Sequence, residues 1–423
     1  MTSKPFVGYR CSVCNKEFPP IAWMYTCPED GGNLDVLLDL EGLSKKPADE
    51  LIIKTDPSLW RYLPLLPVED PGGVGTPLRK AGWTPLYKPQ ALAETLGLKD
   101  LWVKDESVNP TASFKDRASA ILIARAQEIG ADVIVTASTG NAGAALAGMA
   151  AAVDQKAVIF APKTAPPAKV AQLLVYGARV ILVDGNYDSA SKLSIAAAEE
   201  FGWYCRNTGY NPFTAEGKKT AAFEIWESLL HRGQNGSGAE KRSVSTKPLC
   251  IFVSVGDGNI ISGIHKGFKD LQALGLIDQI PRIFGVQSQK SAAIANAFKA
   301  GTEIIEPVSA TTRADSISVN MPADGLRAVR AATQTGGAYI TVSDESIFQE
   351  ITTFGKVGIF AEPAGSASLA GLRAAINQGW IDEEDPVVVI NTGSGLKDVN
   401  AAMEAAGKAP IIEPTLEAVR KII

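Results

Sequence analysis

From Asp132 the chain alternates between two kinds of segment, and this rhythm restricts it to one class of fold. "DVIVTAS" is a short apolar run rich in β-branched residues, and "GNAGAALAGMAAAV" follows it at helical length. Then come "KAVIFAP", "PPAKVAQLLVYG" closed by Gly177, "RVILVDG", "YDSASKLSIAAAEEFG" and the short "WYCRNTG". The alternation resumes at "LCIFVSVG", "RIFGVQS" and "PVVVINTGSG". Strands that read as continuous apolar runs are buried on both faces, and strand–helix–strand order joins them in parallel. The expectation is therefore an α/β protein of open, parallel, twisted sheets covered by helices. At 423 residues the chain exceeds one ordinary core, so two domains and an appendage are expected. The appendage is residues 1–40. Residues 41–130 with 235–423 make the large domain, and residues 131–234 a smaller, mobile one. "HRGQNGSGAEKRSVSTKP", from His231, is polar and Gly/Ser-rich and reads as a surface loop.

Composition excludes several functions. A net charge of -5 disfavours nucleic acid and anionic membrane as partners, since both reward basic surfaces. The longest apolar runs are too short to span a bilayer, and "MTSKPFVGYR" lacks the apolar core of a signal peptide. Five cysteines, an odd count, suit a reducing compartment, so the expected location is the cytoplasm. Two histidines, His231 and His265, leave acid–base work at neutral pH to another group.

In open parallel sheets, ligands bind where strands hand over to loops at their carboxyl ends. Three such loops stand out. In "TASTGNAGAAL", Ser138, Thr139, Gly140 and Asn141 join a strand to a helix, and helix N–H groups with two hydroxyls suit a carboxylate. An ordinary N-cap explains the same residues. In "VSVGDGNIISGIHKG", Gly256, Asp257, Gly258, Asn259 and Ile260 form a glycine-rich turn of the kind that cradles a phosphate. Lys266 is misplaced for a nucleotide-binding P-loop, and Ile261 breaks the dinucleotide fingerprint, so a small phosphate monoester is the better ligand. In "VVINTGSGLKD", Thr392 emerges at a strand end, where its hydroxyl can meet a ring nitrogen.

The string "NPTASFKDRAS" contains Lys115. A lysine held in apolar, glycine-rich surroundings loses its proton and attacks carbonyls. A phosphate cup and one such lysine together suggest pyridoxal phosphate, with the aldehyde on Lys115 and the phosphate in the cup. The plainer reading of Lys115 is a surface lysine paired with Asp116 or Glu106.

The N-terminal "CSVCNKEFPPIAWMYTCPEDGG" places Cys11, Cys14 and Cys27 at ribbon spacing, with Asp30 where a fourth cysteine would fall. Cys3Asp is a candidate structural zinc set, and a metal-free remnant of a zinc ribbon is the alternative. No open coordination position is implied. Because the ribbon is far in sequence from every catalytic loop, activity is expected to survive loss of metal.

These residues resemble the pyridoxal-phosphate enzymes of the tryptophan-synthase-β fold, fold type II, and most closely the threonine synthases, from about Trp60 to Pro410. The resemblance implies that Lys115 carries the Schiff base. It implies that Asn141, in Ser138–Asn141, faces the cofactor's ring hydroxyl and that this loop binds the substrate carboxylate. It places the cofactor phosphate on Gly256–Ile260 and the ring nitrogen at Thr392. "AEGKKTAAFEI", "HKGFKDLQALGLIDQIPRIFGVQ" and "EPAGSASLAGL" look alike as well. The implied reaction converts O-phosphohomoserine and water into L-threonine and phosphate, in a homodimer. Two departures bear on the substrate. "NPFT" puts Thr214 where the family typically has a phosphate-binding arginine, and Asp257 places an anion in the phosphate loop. Lys218, Lys219, Arg206 and Lys163 are the cations left to meet a substrate phosphate. Other segments look like the threonine/serine dehydratases of the same fold, which need Lys115 but no second phosphate site. A non-catalytic protein on the same scaffold is a further alternative, disfavoured by the intact Lys115 and cup.

Overall fold

A computed structural model describes residues 5–230 and 247–423 of the chain. The loop expected from His231 falls outside the described residues as far as position 246. Three strands, β1 (Phe6–Cys11), β2 (Glu17–Phe18) and β3 (Leu34–Leu38), form a small antiparallel sheet ordered β2-β1-β3. β4 (Leu86–Tyr87) and β5 (Leu101–Asp105) follow. Next come β6 (Val133–Ala137), β7 (Lys156–Pro162), β8 (Arg179–Val183) and β9 (Tyr204–Cys205). β10 (Cys250–Ser254), β11 (Arg282–Ser288), β12 (Tyr339–Val342) and β13 (Val387–Asn391) complete the set.

β6 to β9 form a parallel four-stranded sheet ordered β8-β7-β6-β9. The remaining strands form a six-stranded sheet ordered β12-β11-β10-β13-β5-β4, parallel except for the edge strand β4. Every residue of β5, β10 and β13 is buried, as strands covered on both faces must be. No described helix is long and apolar enough to cross a membrane.

Two consequences of this order position the site. β13 lies between β10 and β5, so the segments leaving their carboxyl ends become neighbours although they are distant in sequence. The helices Lys115–Glu128 and Phe213–Lys218 touch backbone to backbone at Gly217, where a Cβ would stand 2.1 Å from the Arg117 carbonyl oxygen. That contact brings Lys115 and Lys218 to the same place.

The N-terminal ribbon docks beside the helix Gly325–Thr333. Arg327 donates to the Leu34 carbonyl at 3.1 Å and to Asp35 at 2.9 Å, and Arg330 donates to the Ser12 carbonyl at 2.6 Å. Asn33 donates to the carbonyls of Gly209 and Ala323 at 2.6 and 3.0 Å.

Candidate active site

Lys115 is the first residue of its helix, and the residues around it aim it. The Gly82 N–H donates to Asn109 at 2.9 Å, and Asn109 donates to Glu106 at 2.8 Å. The Thr111 N–H donates to one oxygen of Asp116 at 2.6 Å, and its hydroxyl donates to the other. Between them Ala112 is held at φ 65°, a left-handed conformation that a residue with a Cβ rarely adopts. Ser113 bridges to Gly393, and the Phe114 N–H donates to the Thr392 carbonyl at 2.9 Å. Arg117 is wholly buried between Glu106 at 2.7 Å and Glu224 at 2.5 Å. The surface pairing of Lys115 with Asp116 or Glu106 is thereby overturned, because Thr111 holds Asp116 and Arg117 holds Glu106.

Lys115 instead faces a cavity of about 460 Å³. All the residues the sequence singled out around it line this cavity: Ser138, Thr139, Gly140 and Asn141 from one loop, Gly256, Asp257, Gly258, Asn259 and Ile260 from another, and Thr392 from the third. The Lys115 amine has no hydrogen-bond or ion-pair partner among the described residues. Burial holds its pKa below the ordinary lysine value, helped by the charge of Arg206 and opposed by Asp257 and Glu362. The shift is in the direction that favours a nucleophile and base.

The glycine-rich turn leads into the fifteen-residue helix Asn259–Ala273, whose N-cap, Gly258, offers no side-chain cap. Gly258 stands at φ 89°, and a Cβ there would lie 2.6 Å from the Asp324 carbonyl oxygen, so glycine is required twice over. The first-turn N–H groups of that helix face the cavity end without a capping oxygen and suit a phosphate. The helix Asn141–Ala151 likewise starts without a side-chain cap, behind Gly140. Burial raises the Asp257 carboxyl, and the charges of Lys115 and Lys218 oppose that rise.

Glu362 was not identified from sequence. It is 3% exposed, lines the cavity and accepts from the Asn141 amide at 2.8 Å. Burial raises its pKa to about 7, against the charge of Lys115 and the Asn141 hydrogen bond. The only signal in "EPAGSASLAGL" is an acidic residue immediately before a helix-starting proline, and its side chain makes no cap hydrogen bond to that helix.

The four candidate cations fare differently. Lys219 is consumed by Glu216 at 2.6 Å and Asp270 at 2.9 Å. Lys163 pairs with Asp184 at 2.6 Å on the surface. Arg206 is wholly buried; it donates to Thr208 at 2.6 Å, and its Nη2 has no partner. Lys218 alone of the four lines the cavity. Thr214 is wholly buried, its hydroxyl donates to the Asn211 carbonyl at 2.7 Å, and it does not line the cavity.

In the ribbon, the ligand atoms of Cys11, Cys14, Cys27 and Asp30 lie within 4.8 Å of one another. The Cys14 and Cys27 sulfurs are 3.8 Å apart, which is the edge of a tetrahedron with metal–sulfur bonds of ~2.3 Å. The N–H groups of Val13 and Cys14 point at the Cys11 sulfur at 3.3 and 3.4 Å; burial pushes that thiol up to about 12, and these two hydrogen bonds oppose the rise. The donor set fits zinc. The ribbon is distant in sequence from these loops but joined to one of them in space: Arg327 bridges Asp35 and Asp324, and Asp324 accepts from Asn259 of the glycine-rich turn at 2.7 Å.

Comparison with known proteins agrees with this geometry. A family model described as pyridoxal-phosphate dependent enzyme matches residues 78–393. A threonine synthase of Methanocaldococcus jannaschii is 37% identical over 98% of each chain, and one of Methanosarcina acetivorans is 35% identical over 98% of each. Among solved structures, a processed threonine deaminase isoform of Solanum lycopersicum superposes with a TM-score of 0.65 at 21% identity, covering 79% of this chain and 86% of that one. Maize serine racemase does so at 0.63 and 24%, covering 76% and 91%. The last two similarities establish the fold alone.

Proposed function

We propose, from the premise that the chain belongs to the pyridoxal-phosphate-dependent enzyme family and within it to the threonine synthases, that it converts O-phosphohomoserine and water into L-threonine and phosphate. The observation that carries this reading is the partnerless Lys115 amine facing an uncapped, glycine-started helix across one cavity, in a chain that matches threonine synthases end to end. The cavity residues fit pyridoxal phosphate: an amine for the aldehyde, Gly256–Ile260 for the phosphate, Asn141 for the ring hydroxyl and neutral Thr392 for the ring nitrogen. When bound, the cofactor supplies an electron sink for a carbanion.

Each protein group then has a task. Ser138–Asn141 present N–H groups and hydroxyls to the substrate α-carboxylate. Lys115, whose pKa burial lowers, takes the proton from the α-carbon and handles those that follow as phosphate leaves the γ-carbon and water adds at the β-carbon. Glu362 holds the Asn141 amide in place.

Finer assignments are inferences of the same kind. We infer one structural zinc on Cys11, Cys14, Cys27 and Asp30, a cytoplasmic homodimer, and a smaller domain within residues 131–234 that moves against the rest.

A second reading, threonine or serine ammonia-lyase, is favoured by Thr214, which stands in place of an arginine and does not reach the cavity. Purified protein assayed with O-phosphohomoserine, threonine and serine decides. Phosphate release from O-phosphohomoserine, lost in Lys115→Ala, is expected. Deamination of threonine or serine with no phosphate release would hand the assignment to the lyase.

A further inference from the structure

Lys218 is used by no step above, yet with Lys115 it is one of the two lysines that line the cavity. It ends the helix Phe213–Lys218, is 0% exposed and lines the cavity beside the glycine-rich turn. A buried lysine is ordinarily paired with a carboxylate, because an isolated buried ammonium costs several kcal/mol. Its neighbours obey that rule: Lys219 has Glu216 and Asp270, and Lys104 has Glu224 at 2.5 Å. Lys218 has no carboxylate partner among the described residues. Its one hydrogen bond goes to the side-chain oxygen of Asn259, the first residue of the helix that opens the cup. The other amide edge of Asn259 is fixed by Asp324, which in turn is clamped by Arg327 at 2.7 Å on both oxygens. The lysine is therefore held beside the glycine-rich turn with no carboxylate to pair with. The cup also carries the Asp257 carboxyl, which burial pushes up and the charges of Lys115 and Lys218 pull back; in its ionised form it would repel a phosphate dianion unless a cation offset it.

We propose that Lys218 is the counter-cation of the cofactor phosphate: its Nζ meets the phosphate bound by the N–H groups of Gly256–Ile260 and offsets Asp257. This rests on the pyridoxal-phosphate reading above. Burial, with the nearby charges of Lys115 and Arg206, pushes the Lys218 amine well below the ordinary lysine value, against the pull of Asp257 and Asp324.

The test is titration of cofactor-stripped protein with pyridoxal phosphate and, separately, with pyridoxal, followed by visible absorption. In Lys218→Met the affinity for pyridoxal phosphate falls by about ten- to a hundredfold, the worth of one charged hydrogen bond, while that for pyridoxal stays within about twofold. Lys218→Gln, which keeps a donor for Asn259, gives the same pattern if the charge matters. Equal losses for both ligands would mean a merely structural role. An unchanged affinity for pyridoxal phosphate, with only the KM for O-phosphohomoserine raised, would assign Lys218 to the substrate instead. Either result overturns the proposal. Absence of any absorption band in the wild type would instead refute the cofactor reading on which it rests.

Discussion

Replacing Glu362 by glutamine should make the protein more stable at alkaline pH, and the structure fixes the sign. The carboxyl is 3% exposed, and burial raises its pKa from 4.5 to about 7. Between those values the folded protein binds a proton that the unfolded chain has released. Stability therefore falls as pH rises through this window, and the full penalty is present above about 7. At about 1.36 kcal/mol per pH unit, the distance from 4.5 to about 7 corresponds to roughly 3 kcal/mol. Glutamine keeps an oxygen for the Asn141 amide, so its effect is not a lost hydrogen bond. Thermal midpoints of the cofactor-stripped wild type and Glu362→Gln should nearly coincide at pH 4.5. At pH 8 the variant should melt a few degrees higher. Asp116, Asp257 and Lys397 also titrate near this site, but they are common to both proteins and cancel in the difference. Removing the charge of Lys115, which opposes the rise, should widen the gap in a Lys115→Ala background. An offset that is the same at pH 4.5 and pH 8 would refute the argument.

Two further outcomes follow from the ribbon. Arg327→Met strands Asp324 and Asp35, and breaking a buried pair of this kind costs on the order of 3 kcal/mol. A lowered melting temperature accompanied by weaker pyridoxal phosphate binding is expected, and unaltered cofactor binding would show that the clamp does not reach the cup. Metal analysis should find about one zinc per chain, abolished by Cys14→Ser; its removal should weaken cofactor binding severalfold, and full binding by metal-free protein would contradict the coupling.

Much of the architecture was legible because parallel strands announce themselves. "KAVIFAP" became β7 residue for residue, and Gly177 closed its helix at φ 80°. β5 was missed because "LWVKD" carries Lys104 and Asp105, charges that look wrong for a central strand. Lys104 survives there only because Glu224 and the Thr84 carbonyl meet its ammonium, and no local pattern reveals a partner 120 residues away. β12 is four residues long, too short for a periodicity to register. The three loops that line the cavity were readable from their glycines and hydroxyls, as a matter of position. Glu362 was not, since its meaning comes from Asn141, which reaches it across the cavity. The cations could not be sorted from sequence, because Lys218 and Lys219 are adjacent and only their partners distinguish them.

The clasp between Arg327 and β3 also sets an order of events at the ribosome. Leu34 and Arg327 are separated by 293 positions. At roughly 5–20 residues per second, the ribbon emerges some fifteen to sixty seconds before the helix it will grip. Its three cysteines spend that interval without their neighbours, so early metal capture would shield them from oxidation and from wrong partners. The cup, for its part, gains its buttress only when the chain is more than three-quarters made. Cofactor added to a nascent chain truncated before Arg327 should therefore find a lysine but no finished seat for its phosphate.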